Sequence, residues 1–108
     1  MINKRRFPRL SMATQIEYTL LEKSYGIVKS HTKDVSIAGL SIKTNELLEK
    51  GTYLDIKFYL PGDTNPIEAI SKVVWSKQIG PSDFETGIEF VKINYADQER
   101  IGRLIAEP

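Results

Sequence analysis

Thr52-Tyr53-Leu54-Asp55-Ile56-Lys57-Phe58-Tyr59-Leu60 alternates apolar and polar side chains without a break. A strand points successive side chains to opposite faces, so Leu54, Ile56, Phe58 and Leu60 share one face. Tyr53, Asp55, Lys57 and Tyr59 share the other. Shorter runs of the same period occur around Ile16-Glu17-Tyr18, Ile27-Val28-Lys29, Gly39 to Lys43, Ile67 to Ser76 and Gly87 to Ile93. Turn-forming groups separate them: Lys50-Gly51, Pro61-Gly62-Asp63 and Gly80-Pro81-Ser82-Asp83. Short strands with regular turns predict a mostly β fold, a small antiparallel β-barrel of about six strands, in which closure removes exposed edges. The period then changes. Ile101, Leu104 and Ile105 recur at helical spacing behind a candidate N-cap at Asn94, with Asp97 in the first turn. Gly102 weakens that helix by roughly 1 kcal/mol relative to alanine. The apolar stripe of this C-terminal α-helix is expected to pack on the sheet or plug one barrel end.

With 108 residues the chain is long enough for one domain and one modest core. We divide it into an Arg-rich arm (1–12) expected to be flexible, a barrel (13–93) and a helix (94–107). No stretch approaches the 18 or so consecutive apolar residues of a membrane span. The basic N-terminus has no apolar run behind it and does not read as a signal peptide. The absence of cysteine excludes disulfides and thiolate chemistry and suits a reducing cytoplasm. Net charge is only +1, yet Lys4, Arg5, Arg6 and Arg9 fall close together. A local cationic cluster on a near-neutral body points to a discrete anion site more than to a nucleic-acid surface; the plainer alternative is a solvated basic arm.

Two motifs carry the chemistry. In Arg5-Arg6-Phe7-Pro8-Arg9, Pro8 fixes its own φ and pushes Phe7 toward extended backbone, so the arginines sit on a loop or extended arm. A guanidinium pairs bidentately with phosphate oxygens and binds the O6/N7 edge of guanine or stacks on the base. The structural reading of Arg5 and Arg9 is surface ion pairing. In Asp34-Val35-Ser36-Ile37-Ala38-Gly39, the structural reading is a tight connection between strands. There Asp34 and Ser36 bond their own backbone and Gly39 supplies a positive φ. The functional reading adds that Gly39 permits close approach, while Ser36 and Asp34 offer polar groups to a ligand. An ionised carboxylate accepts from guanine N1–H and N2–H₂.

R-x-x-x-R followed by D-x-S-x-x-G on a β-rich chain resembles the PilZ domain, the bacterial receptor module for cyclic di-GMP. Val73-Val74-Trp75 and Thr86-Gly87-Ile88-Glu89-Phe90 look like the family's later strands. The resemblance implies a barrel with a C-terminal helix and an arginine arm that wraps over the ligand. Arg5 and Arg9 are then expected to bind phosphate and guanine, with Asp34, Ser36 and Gly39 as the opposite wall. Lys4, just before the first arginine, is compatible with a stacked ligand pair, and Arg6 adds charge. Trp75 and Gly87 are secondary candidates, Trp75 reading more as core or strand surface than as a stacking platform.

No catalytic constellation is expected: His31 is the only histidine, Ser36 has no identifiable base, and no nucleophile elbow or Walker loop is present. Neither a cofactor nor a metal is expected. Asp83 and Glu85 read as solvated turn residues. Two alternatives accompany the receptor reading. One is a ligand-independent protein–protein adaptor, which an exposed Tyr53/Tyr59 face would suit. The other is a single-strand-binding barrel, disfavoured by the near-neutral charge. The expected partners are cyclic di-GMP and a downstream protein, with no nucleic acid and no membrane span.

Overall fold

The computed structural model describes residues 7–22 and 26–106. The strands are β1 (Leu10–Ser11), β2 (Gln15–Leu20), β3 (Val28–Val35), β4 (Gly39–Thr44), β5 (Tyr53–Phe58), β6 (Ile67–Gly80) and β7 (Asp83–Ile93), followed by the helix α1 (Tyr95–Ala106). All pairings are antiparallel, in the order β1-β3-β2-β5-β6-β7-β4, and an added β3–β4 pairing closes six strands into a barrel. The short β1 is the extra strand. It continues the edge of β3 that β2 occupies, matching Leu10 to Val35 and Ser11 to Asp34.

Alternation sets the core. Leu54, Ile56 and Phe58 on β5 are buried with Leu60 beyond its end, while Tyr53 and Tyr59 remain exposed. Ile16, Tyr18, Val35, Leu40, Ile42, Ile67, Val73 and Ile88 complete the interior, and Phe58 stacks on Phe90 with ring centroids 6.4 Å apart. At about 25 cal/mol per Å² of apolar surface, each such side chain contributes about 1.5–3 kcal/mol before chain entropy opposes it.

Asn94 caps α1 through its Oδ1, which accepts from Ala96 N–H at 2.8 Å. Ile101 is fully buried, and Leu104 and Ile105 pack against the core. The antiparallel order brings the β3–β4 connection, the β5–β6 connection and the start of α1 to one end of the barrel. There Arg100 donates to Asp63 Oδ2 at 2.5 Å, Asn65 O at 2.7 Å and Asp97 Oδ1 at 2.8 Å. The Arg100 guanidinium, helped by the Asn65 N–H, holds the Asp63 carboxyl below its ordinary range, and Asp63 and then Asp97 raise the pKa of Arg100.

Two local readings of the sequence change. Asp83 and Glu85 belong to β7, because the β6–β7 hairpin turns tightly through Pro81-Ser82 and pairs Gly80 with Asp83. They are ion-paired, Glu85 with Lys33 at 3.7 Å and Asp83 with Lys43 at 3.6 Å. Gly39 does not have a positive φ; those that do are Gly26, Gly51 and Gly62.

Tyr18 lies on the inner face, and its Oη has no hydrogen-bond partner among the described residues. Burial, with the charge of Glu46 adding, pushes its pKa up to about 12. A raised pKa favours the neutral phenol in the fold. Its contribution is therefore whole below the unfolded value of about 10 and is lost as pH rises toward the folded value. Tyr18→Phe should remove this part of the alkaline loss, read from melts at roughly pH 8 to 11.

Candidate ligand cleft

Two β-bulges turn key side chains outward. On β3, Thr32 pairs with Ile42 but Asp34 pairs with Ser41, so Lys33 is an extra residue. On β6, Val73 pairs with Ile88 but Trp75 pairs with Gly87, so Val74 is extra. Strict alternation would put Asp34 inside with Thr32 and Trp75 inside with Val73. One inserted residue reverses the phase. Val73 is fully buried, whereas Trp75 is 37% exposed.

The result is a transverse row on the outer face. Ser11, Asp34, Ser41, Gly87 and Trp75 are successive cross-strand partners over β1, β3, β4, β7 and β6. The Trp75 indole lies across Gly87, where a Cβ would stand 2.2 Å from the ring, so the ring reaches this position only over glycine. The neighbouring pair is Gly39 and Glu89. A Cβ at position 39 would stand 2.1 Å from Ile88 O, a backbone atom that cannot swing aside. Gly39 is thus required by close strand approach.

Beside this row lies a cleft of about 390 Å³ lined by Phe7, Arg9, Ser36, Ala38, Gly39, Val74, Trp75, Ile88 and Glu89. That volume falls in the roughly 300–1,000 Å³ range of small-molecule sites. Arg9 Nη1 donates to Asp34 Oδ1 at its edge, both side chains being about one-third exposed. An ion pair so exposed contributes about 0–1 kcal/mol. Ser36 shapes the connection: its Oγ donates to Gly39 O at 3.2 Å and accepts from Ala38 N–H at 3.1 Å, while Ser36 N–H donates to Gly39 O at 2.8 Å. The Ser36 part of the expected turn chemistry is present; Asp34 bonds Arg9 instead of its own backbone.

The structure therefore gathers Arg9, Ser36, Gly39 and Trp75 at one cleft, with Asp34 behind Arg9 and Gly87 beneath Trp75. Lys4, Arg5 and Arg6 lie outside the described residues. A second cleft, of about 300 Å³ over β2, β3 and β5, is lined by Glu17, Lys29, His31, Lys57 and Tyr59 among others. It holds no guanidinium. Two further residues meet the first site without a motif to announce them. Glu89 lines the cleft, and Gln98 of α1 donates to Ile37 O at 2.8 Å, inside the Asp34–Gly39 segment. A Cβ at Gly102 would stand 3.6 Å from Ile37 Cγ2, so α1 lies against the same loop. Alternation places Glu89 outward, but nothing in the sequence couples Gln98 to a loop 61 positions away.

The PilZ domain family model matches residues 3–107, and the chain belongs to this family. No curated protein matches it in sequence. Among solved structures it is similar to the inhibitor of motility MotI/DgrA of Bacillus subtilis, with a TM-score of 0.80 and 16% identity over 96% of this chain and 50% of that one. The PilZ domain of YcgR from Escherichia coli, solved with c-di-GMP, gives 0.73 and 15% over 95% and 89%. The K. pneumonia MrkH–c-di-GMP complex gives 0.74 and 18% over 95% and 50%. The chain spans about half the length of MotI and of MrkH. At these identities the likeness establishes the fold.

Gln98→Ala should lower stability by about 0.5–1.5 kcal/mol, the usual net worth of one such bond. It should also speed amide exchange at Ala38 and Gly39, with denaturant melts and exchange mass spectrometry as the readouts.

Proposed function

We propose that this chain is a cyclic di-GMP receptor whose ligand occupies the cleft between Arg9 and Trp75. The observation that carries the reading is the Arg9–Asp34 pair at the edge of a cleft whose wall is the Ser36–Gly39 turn. Motif order, membership of the PilZ family and the c-di-GMP complexes of YcgR and MrkH support it. Arg5 and Arg9 bind phosphate and the guanine edge, and Lys4 and Arg6 add positive field. Arg9 keeps further N–H donors beyond the one given to Asp34. Asp34 accepts from a guanine edge, Ser36 and Gly39 set the wall, and Trp75 offers its exposed ring over Gly87. The role is binding, not turnover, and the setting is the cytoplasm.

Calorimetric titration of cyclic di-GMP into the wild-type chain and Arg9→Ala, with cyclic di-AMP and GTP as controls, tests this directly. Selective binding should fall by roughly 10- to 100-fold on substitution, as expected for losing a hydrogen bond to a charged group. No wild-type binding at high ligand concentration would make the motifs barrel architecture and favour the ligand-independent adaptor.

Signalling follows from the arm. Ligand bridges the arginines to the barrel wall, exchanging chain entropy for charge-assisted bonds, and the arm plus ligand presents a new surface to a protein partner. Saturating ligand should slow amide exchange across residues 2–10. Unchanged exchange there, with binding intact, would sink this switch.

A further inference from the structure

Glu89 is an acidic side chain in a cleft that the receptor reading fills with an anion. It is exposed on the outer face of β7, between Gly39 on β4 and Lys72 on β6, its two cross-strand partners. It is the one carboxylate lining the cleft among the described residues, which also supply Arg9, Ser36 and Trp75. Asp34 sits behind Arg9 and is already bonded to it. Among the described residues Glu89 forms no ion pair, so its carboxylate is not already committed as that of Asp34 is.

A carboxylate beside a phosphodiester is repelled by roughly 1 kcal/mol at 4 Å even in bulk water, and by more where water is thinned. Its presence is therefore informative about what else the ligand offers. Guanine offers a paired arrangement that suits both oxygens at once. Ring N1–H and the exocyclic N2–H₂ are adjacent donors, and the two oxygens of a carboxylate accept from both. Adenine puts an acceptor at N1 beside its N6–H₂ donor, so a carboxylate meets one bond and one repulsion. A cyclic di-purine nucleotide carries two bases, and Asp34, shared with Arg9, serves one edge. The second needs its own acceptor. Because Gly39 has no side chain, nothing on the β4 side screens the Glu89 carboxylate from the cleft.

From this placement we infer that Glu89 is a specificity-determining residue. Its carboxylate accepts from the N1–H and N2–H₂ edge of a guanine in the cleft and so selects cyclic di-GMP over its adenine counterpart. The inference rests on the receptor reading and adds to it a residue outside both motifs. The neutral isostere makes it testable. Glutamine at 89 has one acceptor and one donor, which mismatches the N1–H/N2–H₂ pair of guanine and matches the N6–H₂/N1 edge of adenine.

The experiment titrates cyclic di-GMP, cyclic di-IMP and cyclic di-AMP into the full wild-type chain, Glu89→Gln and Arg9→Ala, with melting temperatures confirming that each variant is folded. Cyclic di-IMP keeps N1–H and lacks the N2 amine. In the wild type it should bind more weakly than cyclic di-GMP. Glu89→Gln should weaken cyclic di-GMP by roughly 10- to 100-fold, the usual discrimination of one bidentate pair. It should affect cyclic di-IMP less and leave cyclic di-AMP unchanged or tighter, so the guanine preference narrows. Equal weakening of all three ligands would mean that Glu89 acts on the arm, and would overturn the inference. Unchanged binding would mean that Glu89 does not meet the ligand, and equal tightening would mean that it merely repels phosphate; both overturn it. These failures all leave Arg9-dependent binding intact. Absence of wild-type binding instead overturns the receptor reading, and the inference with it.

Discussion

A change of phase in two strands is the constraint on which the cleft depends. A barrel interior enforces strict alternation, because a one-residue slip would expose the core and bury the polar face. Here β3 gains Lys33 opposite β4 and β6 gains Val74 opposite β7, and neither strand loses its place in the sheet. Thr32 and Val73 stay inside, and Asp34 and Trp75 turn outward. The alternation that builds the core is suspended for one residue, and the side chains it releases frame the cleft. Glycine completes the arrangement. Gly87 allows the indole to lie over β7, and Gly39 allows β4 to close on Ile88 O. Larger residues at either position would meet atoms at contact distances that real Cβ atoms do not show, and overpacking of that kind typically costs about 1–3 kcal/mol.

The second organising fact is that one barrel end carries both the cleft wall and the helix. Arg100 fastens α1 to the β5–β6 connection, and Gln98 fastens it to Ile37 in the β3–β4 connection. The turn that holds Ser36 is thus gripped from two directions, by its own hydroxyl and by α1. Such a turn is preorganised, since little conformational freedom remains to be lost when a ligand settles against it. The opposite wall is different in kind. Phe7 and Arg9 precede the two-residue β1, and Arg9 is tied to the barrel by a partly exposed ion pair.

Much of the fold was legible because alternation and turn chemistry agree. Thr52–Leu60 gave its buried face directly, and Asn94 announced the helix cap. The long hairpin was less legible. Asp83 and Glu85 look like loop residues in sequence because they follow Gly80-Pro81, yet a two-residue turn is enough and their charges are met by Lys43 on β4 and Lys33 on β3. Trp75 reads from the sequence as either core or strand surface, and the structure puts it on the surface. Val73 and Trp75 have the spacing of one face, and a bulge leaves no signature in composition. Gly39 is needed for a reason other than the positive φ its turn suggests: the need is room beside Ile88 O, a distance between strands that local sequence does not encode. Gln98 lay beyond reach altogether, because its role exists only once α1 has docked.

On the receptor reading, Arg9 and Asp34 also set the terms on which a phosphate enters. Joined, they satisfy each other at little net gain, since a pair one-third exposed contributes at most about 1 kcal/mol. A phosphodiester that draws on the free donors of Arg9 therefore need not break a strong interaction, and Asp34 keeps an oxygen for a base edge. On the receptor reading, this makes the resting pair a way of holding the guanidinium in position at low cost. On that same reading, affinity is decided by how many further groups close over the ligand: Arg5 from the arm, the Trp75 ring from the barrel, and the carboxylates that match the bases. A site of this design discriminates through the bases and gains strength through the phosphates. The first depends on the rigid bulged strands, and the second on the chain that precedes β1.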